Sequence, residues 1–481
     1  MTVIDNTEDF DFIVVGGGTA GCVVAGRLAE NPNVNILIIE AGVSNPKDNE
    51  AITTPARAFE LRGSKWDWGY KTTMIDRPEY TRIEKPNTRG KVLGGSSCLN
   101  YYTWIRGSSA TFDDWAAYGG DEWTWAGCKE YFDKPATFHD DQGLFPKHLQ
   151  HIGTSGPVHV SPAELVAEAA PFREALKKAW VSKGETLNDE IYDGEMHGLA
   201  TAVSSIYKGT RSSSWLFLEG KKNVTVLGQT NSRRLVIEKG QAVGVEVIGP
   251  DGENLTFRAK YEVIVASGVY ESPKLLMLSG IGPKDHLSSF GIETIVDSPH
   301  PMFCDAFQWH IPTPPQGDYF TVIVDLLRPL SQNGTVTLNS TNPLEQAKIN
   351  LNFFSDDLDL IAMREGVRFV DDIIMNGEGM KDIVESDYPW PMPRNSDEAM
   401  IKMILERSQT GFHPCGTTRM SQSVEQGVVD SKLRVHGVDS LRVVDASVIP
   451  VIPDCRIQNA VYMIAEKTSD MIKAAYPELY Q

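Results

Sequence analysis

Three glycines spaced Gly16-x-Gly18-x-x-Gly21 separate a short, largely apolar run, Phe10 to Val15, from a helical pattern that starts at Thr19 and reaches about Glu30. A second apolar run begins at Val34 and ends at Glu40, 19 residues after Gly21. Strand, glycine turn, helix, strand and terminal acid is the βαβ order of a dinucleotide-binding unit. The glycines permit the tight turn and let the backbone approach a pyrophosphate, whose charge meets the positive N-terminus of the helix. Glu40 stands where a carboxylate accepts hydrogen bonds from ribose hydroxyls, and an acid there favours a free ribose over a 2′-phosphate. This unit by itself leaves FAD and NAD both open.

The chain of 481 residues is long enough for two or three structural units. Its 45 basic and 64 acidic side chains leave a net charge of −19, which argues against nucleic acid or an anionic membrane as partner. An anionic substrate would therefore need local positive charge to overcome an unfavourable global field. The six cysteines are scattered without a CxxC pair or metal spacing and read as reduced thiols, and no metal is expected. The opening residues carry Asp5, Glu8, Asp9 and Asp11 and no apolar run, and no stretch approaches the length of a membrane span. The last three residues, Leu479-Tyr480-Gln481, are not a peroxisomal signal, so a cytoplasmic protein is expected.

Further along, residues 67–106 are rich in Gly, Asn, aromatic and basic side chains and read as loop-dominated. Val224 to Val247 alternates as antiparallel strands do, and Glu262 to Ala266 is a short apolar strand followed by a helix over Pro273 to Leu278. Val322 to Leu351 alternates again and suggests a second sheet. Leu360 to Ile374 and Glu398 to Ser408 have amphipathic helical spacing, and Asn459 to Ala475 forms a final helix.

A second glycine motif, Gly90-Lys91-Val92-Leu93-Gly94-Gly95-Ser96-Ser97-Cys98-Leu99-Asn100, continues to Trp104, Gly107 and Asp113. Adjacent glycines followed by serines can approach a planar ring closely, although a Gly-Ser surface loop has the same composition. The stretch resembles the first signature of the glucose–methanol–choline (GMC) oxidoreductases. Ser272-Pro273-Lys274-Leu275-Leu276 through Gly280-Ile281-Gly282 resembles the second. His413-Pro414-x-Gly416-Thr417, Arg442-Val443-Val444-Asp445-Ala446-Ser447 and the last helix resemble the closing elements. The resemblance covers nearly the whole chain in order and makes a nicotinamide enzyme very unfavourable.

It implies an α/β fold with a Rossmann-like FAD-binding domain from residues 1–160, 205–300 and 421–481. The implied substrate-binding domain is α+β, built on an antiparallel sheet from residues 161–204 and 301–420. The residues expected at the cofactor are Gly16, Gly18, Thr19, Ala20, Gly21, Glu40, Trp68, Gly95, Ser96, Asn100, Asp445, Ala446 and Gln458. Members that attach FAD covalently carry a His before the Asn of the first signature. Leu99 stands there, so a non-covalent flavin is expected.

His413 matches the catalytic histidine of the family and serves as proton acceptor or orienting group. Most members place a His or Asn as the second catalytic group, but the equivalent position here is Arg456. A permanently charged fork suits a small carboxylate better than a neutral alcohol, unless it pairs with Asp454 or another acid and only holds its loop. Residues 84–90, 306–310, 351–354 and 454–459 resemble the formate-oxidising members of the family. That resemblance implies hydride transfer from formate to flavin N5, release of carbon dioxide, and reoxidation by oxygen to hydrogen peroxide. Phe307, Trp309 and His310 are expected as strand residues of the second sheet before any pocket role.

One departure stands out. After Glu293 to Asp297 the family continues with GxNLxDHP and a long block of the substrate domain, whereas this chain passes from Ser298-Pro299-His300 to Pro301-Met302-Phe303-Cys304. A shortened substrate domain is expected to expose apolar surface and to open the pocket to water. Two alternatives therefore stay open: a GMC alcohol oxidase or dehydrogenase, and a catalytically impaired flavin-binding protein.

Overall fold

The computed structural model describes residues 9–75, 77, 84–141, 143, 145, 152–162, 169–299, 301–302, 306–308, 320–331, 334–388 and 391–480. The fold starts with β1 (Phe10–Val15), α1 (Thr19–Leu28) and β2 (Ile36–Ile39), the order read from the glycine fingerprint. The same sheet gains β3 (Val224–Leu227), β4 (Asn231–Glu238), β5 (Gln241–Ile248) and β6 (Asn254–Val265), then α2 (Gly268–Leu278) leaves it, β7 (Leu441–Val443) rejoins it, and α3 (Gln458–Ala475) covers it. Strand order is β3-β2-β1-β6-β5-β4, with β7 also pairing β6.

Two sequence textures explain two kinds of pairing. β1 and β2 are buried at every position and pair in parallel, Phe12 to Ile36 through Val15 to Ile39. Strands covered on both faces read as continuous apolar runs. β5 alternates and joins the antiparallel meander with β4 and β6. β6 belongs to both regimes: Asn254 to Arg258 pair with β5, while Glu262 to Val265 pair in parallel with β1. The buried Arg442–Glu262 pair, 2.7 Å, ties β7 to β6, and Arg27–Glu466, also 2.7 Å, ties α1 to α3.

A second core lies beyond α2. Its sheet runs in the order Pro301–Met302, Gly334–Thr337, Lys348–Asn350, Tyr70–Thr73, Glu84–Asn87. Helices Asp357–Asn376 and Asp397–Arg407 supply Leu360, Met363, Val367, Met400 and Ile404 to this core, and Val269 and Tyr270 of α2 join it. Among the described residues no helix is long and apolar enough to cross a membrane.

Three local expectations are amended. The stretch 67–106 is largely irregular among its described residues, but Tyr70–Thr73 and Glu84–Asn87 within it form an unexpected antiparallel pair, Tyr70 opposite Asn87, that completes the second sheet. Each strand is four residues long and Pro86 interrupts the pattern, so the signal is weak; Pro86 is tolerated because its strand lies at the edge. The alternating stretch 322–351 feeds two sheets, since Val324–Leu326 pairs with Ala306–Gln308, which in turn pairs with Ser408–Thr410. The helix read from Pro273 begins five residues earlier, at Gly268. Trp309, His310 and the side chain of Phe307 lie outside the described residues. Phe320, Val322, Ile323 and Leu330, on the segment that follows, are exposed.

Candidate active site

A cavity of about 770 Å³ runs from the glycine turn after β1 to the loop before α3. Every residue expected at the cofactor or in catalysis lines it except Gly21. Gly21 acts from behind: a Cβ there would lie 1.9 Å from the Gly16 carbonyl oxygen, so it allows α1 to pack on the turn. Gly16 itself has φ +104°, and its Cβ would fall 2.4 Å from the Ala266 carbonyl oxygen.

The second glycine motif closes on the first. The Gly94 N–H donates to the Gly17 carbonyl at 2.7 Å, and a Cβ on Gly95 would come within 2.7 Å of the Gly18 Cα. Gly95 is therefore needed for loop-to-loop contact as well as for approach to a ligand. Ser96 Oγ accepts the Gly90 N–H at 3.2 Å and holds the turn.

Glu40 is buried and accepts the Gly17 N–H at 2.9 Å and the Gly42 N–H at 2.7 Å, one on each oxygen. A carboxylate oxygen has two acceptor sites, so capacity remains for ribose hydroxyls. Burial pushes the Glu40 carboxyl above the usual glutamate range, against the pull of those two amides. Trp68 stacks on Tyr70 with ring centres 5.7 Å apart and carries Lys91 Nζ 4.6 Å over its ring. Asp445 caps α2: its carboxylate accepts the Gly268 N–H at 2.9 Å and Ser272 Oγ–H at 2.6 Å, where the helix dipole favours an anion. Thr19 and Ala20 open α1, and Ala446 follows Asp445 along the wall. Two glycine loops, a helix N-terminus and a buried ribose-type acid along one elongated cavity fit FAD.

At the far end Asn100 Nδ2 donates to Gln458 Oε1. Asn100 is set by Arg211, a buried guanidinium that donates to Asn100 Oδ1 at 2.9 Å, the Asn100 carbonyl at 3.0 Å and the Ser97 carbonyl at 3.2 Å. His413 follows Phe412, whose φ of +63° is costly for a bulky side chain. The neighbours hold that turn: the Phe412 N–H donates to Thr410 Oγ1 at 3.0 Å, Arg89 donates to its carbonyl, and Arg62 lies 4.8 Å over its ring. Downstream, Thr417 Oγ1 donates to the Val269 carbonyl at 2.7 Å. Pro273 has no N–H to reach that carbonyl four residues back, so the His413 motif repairs the helix that carries the second signature.

Arg456 lines the same cavity as His413, and its Nη2 lies 2.8 Å from Asp325 Oδ2. Asp454, the acid nearest in sequence, is held elsewhere; it accepts the Ser108 N–H at 2.8 Å and Thr111 Oγ1–H at 3.1 Å. Sequence reasoning missed Asp325, Arg62, Arg89 and Arg211. Asp325 sits in an alternating strand with no motif around it, and only the pairing of distant strands brings it to Arg456. Among the described residues no group of three or more His, Cys, Asp or Glu forms a metal cluster; His139 and His159 form only a pair, 2.9 Å apart.

The N-terminal GMC oxidoreductase family model matches residues 10–311 and the C-terminal one residues 329–465. The chain belongs to the GMC oxidoreductases and is FAD-dependent. It is 47% identical to a formate oxidase of known structure, with a TM-score of 0.97 over 99% of this chain and 100% of that one. Structures of Aspergillus oryzae formate oxidase that address FAD modification match to the same degree. It is also 29% identical to the oxygen-dependent choline dehydrogenase of Pseudomonas putida, over 98% of this chain and 95% of that enzyme. An uncharacterised GMC-type oxidoreductase of Mycobacterium tuberculosis is 31% identical, over 96% and 99% of the two chains. That choline dehydrogenase alignment runs over 550 positions against a chain of 481, so at least 69 of them have no counterpart here.

Proposed function

We propose that this protein oxidises formate to carbon dioxide with oxygen as final acceptor. The observation that carries the reading is Arg456, a charged fork opening into the cavity that also holds His413. The likeness to formate oxidase supports it.

The chain's own contribution is binding and orientation. Gly16, Gly18, Gly95 and the N-terminus of α1 would hold the pyrophosphate, Glu40 the ribose, and Trp68, Asn100, Asp445, Ala446 and Gln458 would surround the remainder of the cofactor. Leu99 offers no side-chain nucleophile, which supports a non-covalent flavin. FAD bound there would supply a two-electron acceptor, with oxygen as the final acceptor and hydrogen peroxide as the product. Arg456 donates hydrogen bonds to the formate oxygens and turns the C–H bond toward the ring. As the hydride leaves carbon, the two oxygens stay with it as carbon dioxide. His413 donates to a formate oxygen or takes the proton when formic acid binds. Short-range charge at the half-buried Arg456 outweighs the screened negative surface.

Anaerobic addition of formate to the purified holoprotein should bleach the flavin, and air should restore it with one peroxide per formate. Arg456→Ala should keep its flavin and lose kcat/KM for formate by about 10³-fold, the scale of removing one partner of a charged hydrogen-bonded pair. Flavin reduction by methanol or choline but not formate would overturn the reading. One observation favours that second reading: Asp325 already offsets the charge of Arg456.

A further inference from the structure

The pair between Arg456 and Asp325 is unexpected in a site that captures an anion. Asp325 lies in strand Val324–Leu326, its side chain is 9% exposed, and it lines the cavity together with Arg456 and His413. Its strand pairs with Ala306–Gln308, which pairs with Ser408–Thr410, the strand that runs directly into Phe412 and His413. One small sheet thus carries both the acid and the approach to the histidine.

The other carboxylates of the cavity are engaged elsewhere. Glu40 holds two backbone amides, Asp445 caps α2, and Glu271 binds Tyr70 Oη at 2.7 Å and Lys274 Nζ at 2.9 Å. Among the described residues, Asp325 is the acid that meets Arg456. A guanidinium has five donors in a planar fork, so one nitrogen can hold Asp325 while the remaining donors take a ligand. A carboxylate bound there sits a few ångströms from a second negative charge, in a partly buried setting where such repulsion is strong.

We propose that Asp325 is a specificity-determining residue. It holds one end of the Arg456 fork and weakens anion capture, so that the site retains only a small carboxylate able to use the donors left over. The inference rests on the formate reading for its substrate, but its physical content is the anion affinity of Arg456 and is measurable without turnover.

Asp325→Asn keeps the shape and an acceptor for Arg456 while removing the charge. It should lower KM for formate, and the dissociation constants of azide and acetate read from the flavin spectrum, by about tenfold or more. Formate kcat should stay within about threefold, and KM for any alcohol turned over should not move. Asp325→Ser should tighten azide in the same way and serves if the Asn protein does not fold. A role as a simple strut predicts otherwise: Asn behaves as wild type, while Ser raises KM and lowers kcat. That pattern, or unchanged azide binding in both variants, overturns the proposal. Absence of formate turnover in the wild-type holoprotein, with azide tightened by Asp325→Asn, would overturn the functional reading and leave this inference standing.

Discussion

One end of the cavity is made of backbone and the other of side chains brought from far apart. At the nucleotide end, Gly16, Gly18 and Gly95 bring main chain against main chain, with hypothetical Cβ positions 2.4 Å from Ala266 O and 2.7 Å from Gly18 Cα. At the proposed catalytic end, Arg456, Asp325 and His413 come from a loop, a short strand and a strained turn. At Gly16 and Gly95 the first arrangement tolerates no added atom, whereas a Cβ on Gly18 would meet nothing nearer than 3.8 Å. The second tolerates many side chains and changes chemistry with each, which is how one cofactor frame serves relatives named for choline and for formate.

The sharpest way to test this contrast is Gly16→Ala. The methyl meets the Ala266–Ser267 backbone at a positive φ, so no flavin should be retained and the purified protein should be colourless or insoluble. A yellow, stable Gly16→Ala protein would break the claim that the nucleotide end is sterically closed. At the other end, His413→Ala should retain the flavin spectrum and lower kcat for formate by about 10²-fold, the usual scale for a positioned proton-transfer group. If that substitution instead released the flavin, the two ends would not be separable.

A smaller effect tests the nucleotide end through pH. Burial raises the Glu40 carboxyl above its ordinary value, so the apoprotein holds this contribution to stability at low pH and loses it as pH rises through the raised value. FAD affinity should follow the opposite sign, since the ionised form accepts ribose hydrogen bonds and protonation removes an acceptor. Titration with FAD should weaken by about tenfold as pH falls through that window, and Glu40→Gln should flatten the profile. Equal affinity of the wild type across the window would remove Glu40 from the ribose site.

Much of the nucleotide end was legible because its determinants are local. A strand, a glycine turn and a helix lie within 30 residues, and Gly21 is required by the turn itself, although Gly16 is closed by Ala266, far away in the chain. His413 and Arg456 were legible from motif position. The short strands Tyr70–Thr73 and Glu84–Asn87 were not, because four-residue segments carry too little periodicity; they are stabilised by pairing with each other, and Tyr70–Thr73 also meets Lys348–Asn350. Neither was the bond from Thr417 to the Val269 carbonyl, 148 residues away, that compensates for Pro273.

The sequence alone determined the dinucleotide unit, the family and which charged residue stands beside His413 in the cavity, because each is a matter of residue type at a fixed local spacing. Tertiary structure decided what that charged group experiences. Asp325 is 131 positions from Arg456 in the chain, and no local pattern foretells their 2.8 Å approach. Electrostatic environment depends on distance through space, and only the folded sheets set that distance.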